Sequence, residues 1–133
     1  MILFIDTSDF NGLRLGLVAK DFVRESVHSV AYNENYKTGE FLENFLRQNK
    51  VQPKQLSKII VCSGPGSFTG IRVGVALAEA MGFALGITVT AIKKGQVPKD
   101  LTKLQTLRVG KAVTLNYGQE PNITLPAGSA KPR

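Results

Sequence analysis

Lys58-Ile59-Ile60-Val61-Cys62-Ser63-Gly64-Pro65-Gly66-Ser67-Phe68-Thr69-Gly70-Ile71-Arg72-Val73-Gly74 joins an apolar run to a helical pattern through a glycine-rich turn. The continuous apolar residues 59–62 predict a strand over 58–63 that is buried on both faces. Residues 64–70 predict the loop, 71–85 a helix and 87–92 a further strand. Glycines in such a loop permit positive φ and close backbone approach. The backbone N–H groups that open a helix are a natural anion site. The loop is nevertheless not a Walker A element: three residues separate Gly66 from Gly70, and Ile71 follows where Lys and Ser/Thr are required. Nor is it a dinucleotide fingerprint, because G-x-G-x-x-x-G is one residue too long and the strand ending near Ile92 offers no acid for a ribose.

Upstream, Ile2-Leu3-Phe4-Ile5 is a second buried run, closed by Asp6. Asn11-Gly12 supplies a turn. Leu13, Leu15 and Leu17 then alternate with Arg14 and Gly16, the two-residue period of a strand. Residues 22–31, with Val23, Val27 and Val30, complete a three-stranded antiparallel meander. The period then changes. Phe41, Leu42, Phe45 and Leu46 share one helix face. Glu40 and Glu43 lie early in that helix and Arg47 and Lys50 late, which suits its dipole, and Pro53 follows its end. The order β-β-β-α-β-α-β predicts an α/β fold: a ribonuclease H-like lobe, of the actin-like ATPase kind, with a mixed five-stranded sheet. Residues 1–92 are expected to form that lobe. Residues 93–111 read as a basic connector, in which Leu101, Leu104 and Leu107 line either a short helix or a loop packed on the lobe. Residues 112–133 read as a short closing segment, with a final strand near 112–115, and a flexible tail.

Composition narrows the chemistry. A chain of 133 residues, 43% hydrophobic and 20% charged, suits one modest core. No apolar run is expected to approach the ~18–20 residues of a bilayer span. The opening MILFIDTSD lacks the basic region of a signal peptide, so a cytoplasmic protein is expected. Cys62 is the one cysteine and His28 the one histidine, which excludes an intrachain disulfide, a cysteine cluster and a multi-histidine metal site. A general acid–base constellation is absent from the glycine-rich region. The net charge of +7 is uneven. Residues 1–91 hold nine Lys/Arg and eight Asp/Glu, whereas 92–133 hold eight and two. The basic end is either a solvated tail or an RNA contact.

The second helix carries Gly74, Ala78 and Gly82 at i, i+4 and i+8, and Ala76, Ala80 and Ala84 on another face. Small residues in a stripe let a sheet or another helix approach closely. With Glu79 as the one charge between Val73 and Leu85, the helix is apolar nearly all round. That pattern suits burial on two sides, and a lone lobe offers one. A partner subunit is therefore expected.

The run Ile2-Leu3-Phe4-Ile5-Asp6-Thr7-Ser8 resembles the opening strand of the TsaB family, and residues 64–74 are similar to that family's most characteristic motif, including Arg72. The resemblance covers about residues 1–92. Tyr117, Pro121, Ile123 and Thr124 resemble its closing Tyr…Pro-x-Ile-Thr segment, with Gln119 where an Arg is often found. Family members have two lobes of the actin-like type. Against that pattern the expectation here is one lobe, a basic connector and the closing segment, and Tyr36 stands near the position of a common His. The resemblance implies a non-catalytic subunit of the machinery that makes N6-threonylcarbamoyladenosine (t6A) in tRNA. It implies association with the catalytic subunit TsaD through first-lobe helices, with TsaE and tRNA joining the complex, and self-association through the same surface. Phe41, Phe45, Arg72, Val75, Ala78, Glu79 and Gly82 are the expected interface residues. Asp6, Gly64, Gly66, Ser67, Thr69 and Gly70 are the candidate phosphate-binding set, Asp6 standing where the actin-like superfamily places a phosphate- or metal-linked carboxylate. No catalytic residue, metal or resident cofactor is expected, and nucleotide only within the complex. The alternatives are a nucleotide-binding actin-like ATPase lobe and an RNA-binding module based on residues 93–111.

Overall fold

The computed structural model describes residues 1–107 and the backbone of the strand at 113–116. The expected segments at 117–124 and 127–133 lie outside the described residues. The strands are β1 (Ile2–Asp6), β2 (Gly12–Ala19), β3 (Phe22–Ser29), β4 (Lys58–Cys62), β5 (Thr88–Ile92) and β6 (Val113–Asn116). They form one sheet in the order β3-β2-β1-β4-β5-β6. β1 pairs antiparallel with β2 and parallel with β4. β5 runs parallel to β4 and antiparallel to β6. The ribonuclease H-like lobe is therefore present, and the final strand expected near 112–115 joins the five-stranded sheet at its edge.

The central strands read as unbroken apolar runs because both faces of the sheet are covered. Leu3, Ile5, Ile59 and Val61 point to one face, where they meet Leu42, Phe45, Leu46 and Ala78. Phe4 and Ile60, register partners, point to the other. There they meet Val18, Ile92, Leu101 and Leu104. The expected connector thus contributes to the core. Residues Leu101–Thr106 form a 3-10 helix, opened by Asp100, whose carboxylate accepts from the Thr102 N–H at 3.0 Å. Gly16 leaves room for this strap: a Cβ there would meet a terminal methyl of Leu101 at 2.6 Å.

The helical face carries α1 (Thr38–Gln48), preceded by a 3-10 segment (Tyr32–Lys37), and α2 (Phe68–Leu85). α2 starts three residues before the expected boundary. The Ser67 hydroxyl accepts from the Gly70 N–H at 3.1 Å and caps the helix, so Phe68, Thr69 and Gly70 become its first turn rather than loop. Gly86, at φ 65°, ends it in the left-handed region. Against the expectation from the sequence, α2 is, by length and a mean hydropathy of 1.4, long and apolar enough to cross a membrane, because Arg72 and Glu79 interrupt the run without lowering its mean below that of a span. Here Gly70, Gly74, Ala78 and Gly82 press it onto β1, β4 and β5 instead.

Candidate functional site

The end of β1 is where the sheet, the glycine-rich turn and the turn after β5 meet. Asp6 Oδ1 accepts from both the backbone N–H of Ser8, at 2.9 Å, and its hydroxyl, at 2.6 Å. The Ser8 hydroxyl also accepts from Lys94 Nζ at 3.1 Å. The Ser8 carbonyl accepts from the Ser67 N–H at 2.8 Å, and the Thr7 hydroxyl donates to the Gly70 carbonyl at 2.6 Å. Thr7, Ser8 and Ser67 are all buried.

These contacts explain the glycines. A Cβ on Gly66 would collide with the Ser8 carbonyl, one on Gly70 with the Thr7 carbonyl, and one on Gly74 with the Thr7 hydroxyl. The close backbone approach that could have cradled a phosphate is taken up by this chain's own β1–β2 turn. Of the candidate phosphate-binding residues, Ser67 spends its hydroxyl on the helix cap, and one Asp6 oxygen is occupied by Ser8. Thr69 is exposed on the first turn of α2. A cleft of about 160 Å³ remains beside Asp6, lined by Asp9, Arg14 and Lys94 among others. Arg14 is already paired with Glu25. A larger groove, about 510 Å³, lies at the far end of α1 and touches none of these groups. No group of three or more potential ligands for a metal occurs among the described residues.

Cys62 is fully buried at the end of β4. Burial is the main cause that pushes its thiol pKa up, and the neighbouring Asp6 charge adds to it. It packs as a small hydrophobe. The His28 ring rests 4.6 Å from that of Phe41, and its Nε2 lies 3.0 Å from the Ser26 hydroxyl.

The expected interface set divides in two. Phe45, Ala78 and Gly82 are buried against this chain's own core, so they cannot meet a partner. The stripe of small residues serves the sheet. Phe41, Val75 and Glu79 are half-buried, and Arg72 is exposed. The outward face of α2 instead presents Phe68, 73% exposed, with Arg72 stacked 5.3 Å over its ring, then Ala76, Ala80 and Phe83, 58% exposed. Phe68 sits inside the glycine motif, where a loop reading conceals its place on the first turn of α2. Lys94 carries no sequence signal of its own, and Ser8 shows only as the last residue of the opening motif, since the tertiary fold alone brings the two together.

A family model described as TsaD, tRNA N6-adenosine threonylcarbamoyltransferase, matches residues 30–124. The chain is 36% identical over 92 residues to the tRNA threonylcarbamoyladenosine biosynthesis protein TsaB of Bacillus subtilis, covering 68% of this chain and 40% of that protein. It belongs to this family as a TsaB-type member. A second TsaB, from Buchnera aphidicola, is 25% identical over 121 residues, 90% of this chain and 57% of that one. The TsaB-type chain therefore spans between 40% and 57% of the length of these two relatives. In fold it is similar to the structure of YeaZ from Pseudomonas aeruginosa, with a TM-score of 0.66 and 21% identity over 72% of this chain and 45% of that one. Residues 64–74, whose glycines and Ser67 lock α2 to β1, lie inside the stretch matched by the family model.

Proposed function

We propose that this TsaB-type chain is a non-catalytic subunit of t6A biosynthesis that binds and supports a TsaD-type transferase, in the bacterial cytoplasm. One observation carries the reading. α2 has its small-residue face sunk on the sheet, yet its opposite face is also apolar, with Phe68 and Phe83 exposed. An exposed apolar helix face is characteristic of an association surface. A related lobe with its own equivalent helices is a fitting partner, and a second copy of this chain is a competing one. The interface is read as Phe68, Arg72, Ala76, Glu79 and Ala80, with Val75 and Phe41 at its margin. TsaE and tRNA join through the complex. A non-catalytic role accords with the turn at Asp6: its hydrogen-bonding groups are largely engaged within the chain, so resident nucleotide chemistry has little to act through.

Co-purification with the TsaD subunit of the same organism, followed by size-exclusion chromatography with light scattering, tests the proposal. A stable complex that Phe68→Asp abolishes supports it. Absence of any complex, or a complex untouched by that change, overturns it.

A further inference from the structure

The sequence places its excess positive charge beyond residue 92, but within residues 1–107 the fold gathers it elsewhere. Where the parallel strands finish, charges of both signs mingle. Arg14 pairs with Glu25. Lys94 shares a cleft with Asp6 and Asp9. Lys93 follows the end of β5, and the carbonyl of Lys99, beside Asp100, accepts from Arg14 at 3.4 Å. These are four cations against four carboxylates.

The opposite end is different. Val18, Ile2, Lys58 and Thr88 form one register row across the sheet where β1, β4 and β5 begin. Just beyond it lie Lys20 in the β2–β3 turn, and Lys54 in the 3-10 turn (Pro53–Gln55) that leads into β4. Arg24, exposed near the start of β3, flanks them. α1 ends at the same place, bringing Arg47 and, after it, Lys50. These six cations are opposed by two carboxylates, Asp21 and Glu43. Arg47 already engages Glu43 at 2.7 Å. Among the described residues no carboxylate pairs with Lys20, Lys50, Lys54 or Lys58. The groove of about 510 Å³ lies at this edge, lined by Leu46, Val51, Gln52 and Pro53 together with Arg47, Lys50 and the Arg47-paired Glu43.

We propose that this basic edge contacts the phosphate backbone of tRNA. The inference rests on the t6A reading above, which makes tRNA the polyanion at hand, and it moves the RNA contact away from residues 93–111. Clustered cations without carboxylate partners release counterions when they meet phosphates, and that release drives binding. The groove beside Arg47 and Lys50 gives a strand of RNA a place to lie. Lysine and arginine side chains at such an edge address phosphates, so contact is to backbone and independent of base sequence.

The test is fluorescence anisotropy with an unmodified in vitro tRNA transcript and the full chain, over a series of KCl concentrations. Affinity of the wild type falls steeply with salt. K50E/K54E lowers affinity at low salt by more than about tenfold and flattens the log–log salt slope by roughly two. K50R/K54R retains binding, and K93E/K99E at the other end leaves the slope near wild type. Equal behaviour of K50E/K54E and wild type, or equal losses at both ends, overturns the inference. The same preparations are run with the TsaD subunit. Loss of that complex in K50E/K54E with RNA affinity intact makes the edge a protein-docking surface and also overturns it. RNA binding through this edge with no wild-type complex upholds the contact while the scaffold role fails. Thermal melts by circular dichroism confirm that each variant is folded.

Discussion

The Cβ that Gly74 lacks would fall on the hydroxyl of Thr7, and that hydroxyl donates to the carbonyl of Gly70 one turn earlier in α2. Strand β1 and helix α2 are therefore locked through a contact that only glycine permits.

Gly74→Ala sets two effects against each other. Alanine favours the helix by about 1 kcal/mol. Forcing a methyl into a filled, hydrogen-bonded site costs about 1–3 kcal/mol. Thr7 is buried and its hydroxyl is engaged, so it cannot rotate away without leaving Gly70, and the steric cost wins. Urea unfolding should show a net loss of stability. Gly86→Ala is the contrast: a Cβ there meets nothing within 4 Å, and its cost, about 1 kcal/mol, comes from the left-handed backbone alone. A Gly74→Ala protein as stable as wild type would refute the lock.

The two sides of α2 should respond oppositely. Phe68→Asp or Ala76→Trp, on the outward face, should break association with the TsaD subunit and leave the unfolding free energy within about 0.5 kcal/mol of wild type. Ala78→Leu, on the fully buried face, should destabilise the chain by about 1–3 kcal/mol. Light scattering and thermal melts on the same samples separate the two effects.

Asp6→Ala removes the acceptor of two hydrogen bonds from Ser8. The expected result is a stability loss of about 1–3 kcal/mol, because Ser8 is buried and its donors are left without partners. The chain alone should bind no ATP by isothermal titration calorimetry, before or after the change. ATP binding that disappears in Asp6→Ala would restore the nucleotide-site reading.

The Cys62 thiol should react slowly with Ellman's reagent in the native protein and rapidly in denaturant, since it is buried at the end of β4. Its folded pKa lies above the ordinary value of 9.0, with burial the main cause. The folded state thus holds the proton more tightly than the unfolded state does. Its contribution to stability is complete below the unfolded value and is lost as pH climbs through the raised folded one. Cys62→Ala should weaken that alkaline loss in a urea series from pH 8 upward, and an unchanged pH dependence would assign the loss to other groups.

The chain order, the strand and helix periods and the family motif were legible in the residues alone. Apolar runs at 2–5 and 59–62 demanded a sheet covered on both faces, and local period and apolarity are properties that a linear reading can see. Three matters depended on tertiary structure. Phe45, Ala78 and Gly82 belong to the core because the sheet, rather than a partner, fills the space beside them. The glycines at 66, 70 and 74 serve close packing against Thr7 and Ser8, a contact across roughly sixty residues of chain. The third is electrostatic: charge counted along the chain peaks after residue 92, while the uncompensated cations of residues 1–107 converge where three strands begin and α1 ends. Periodicity is local and survives in the sequence. Which small residue faces which neighbour, and which charges share an edge, exist only once distant segments are brought side by side.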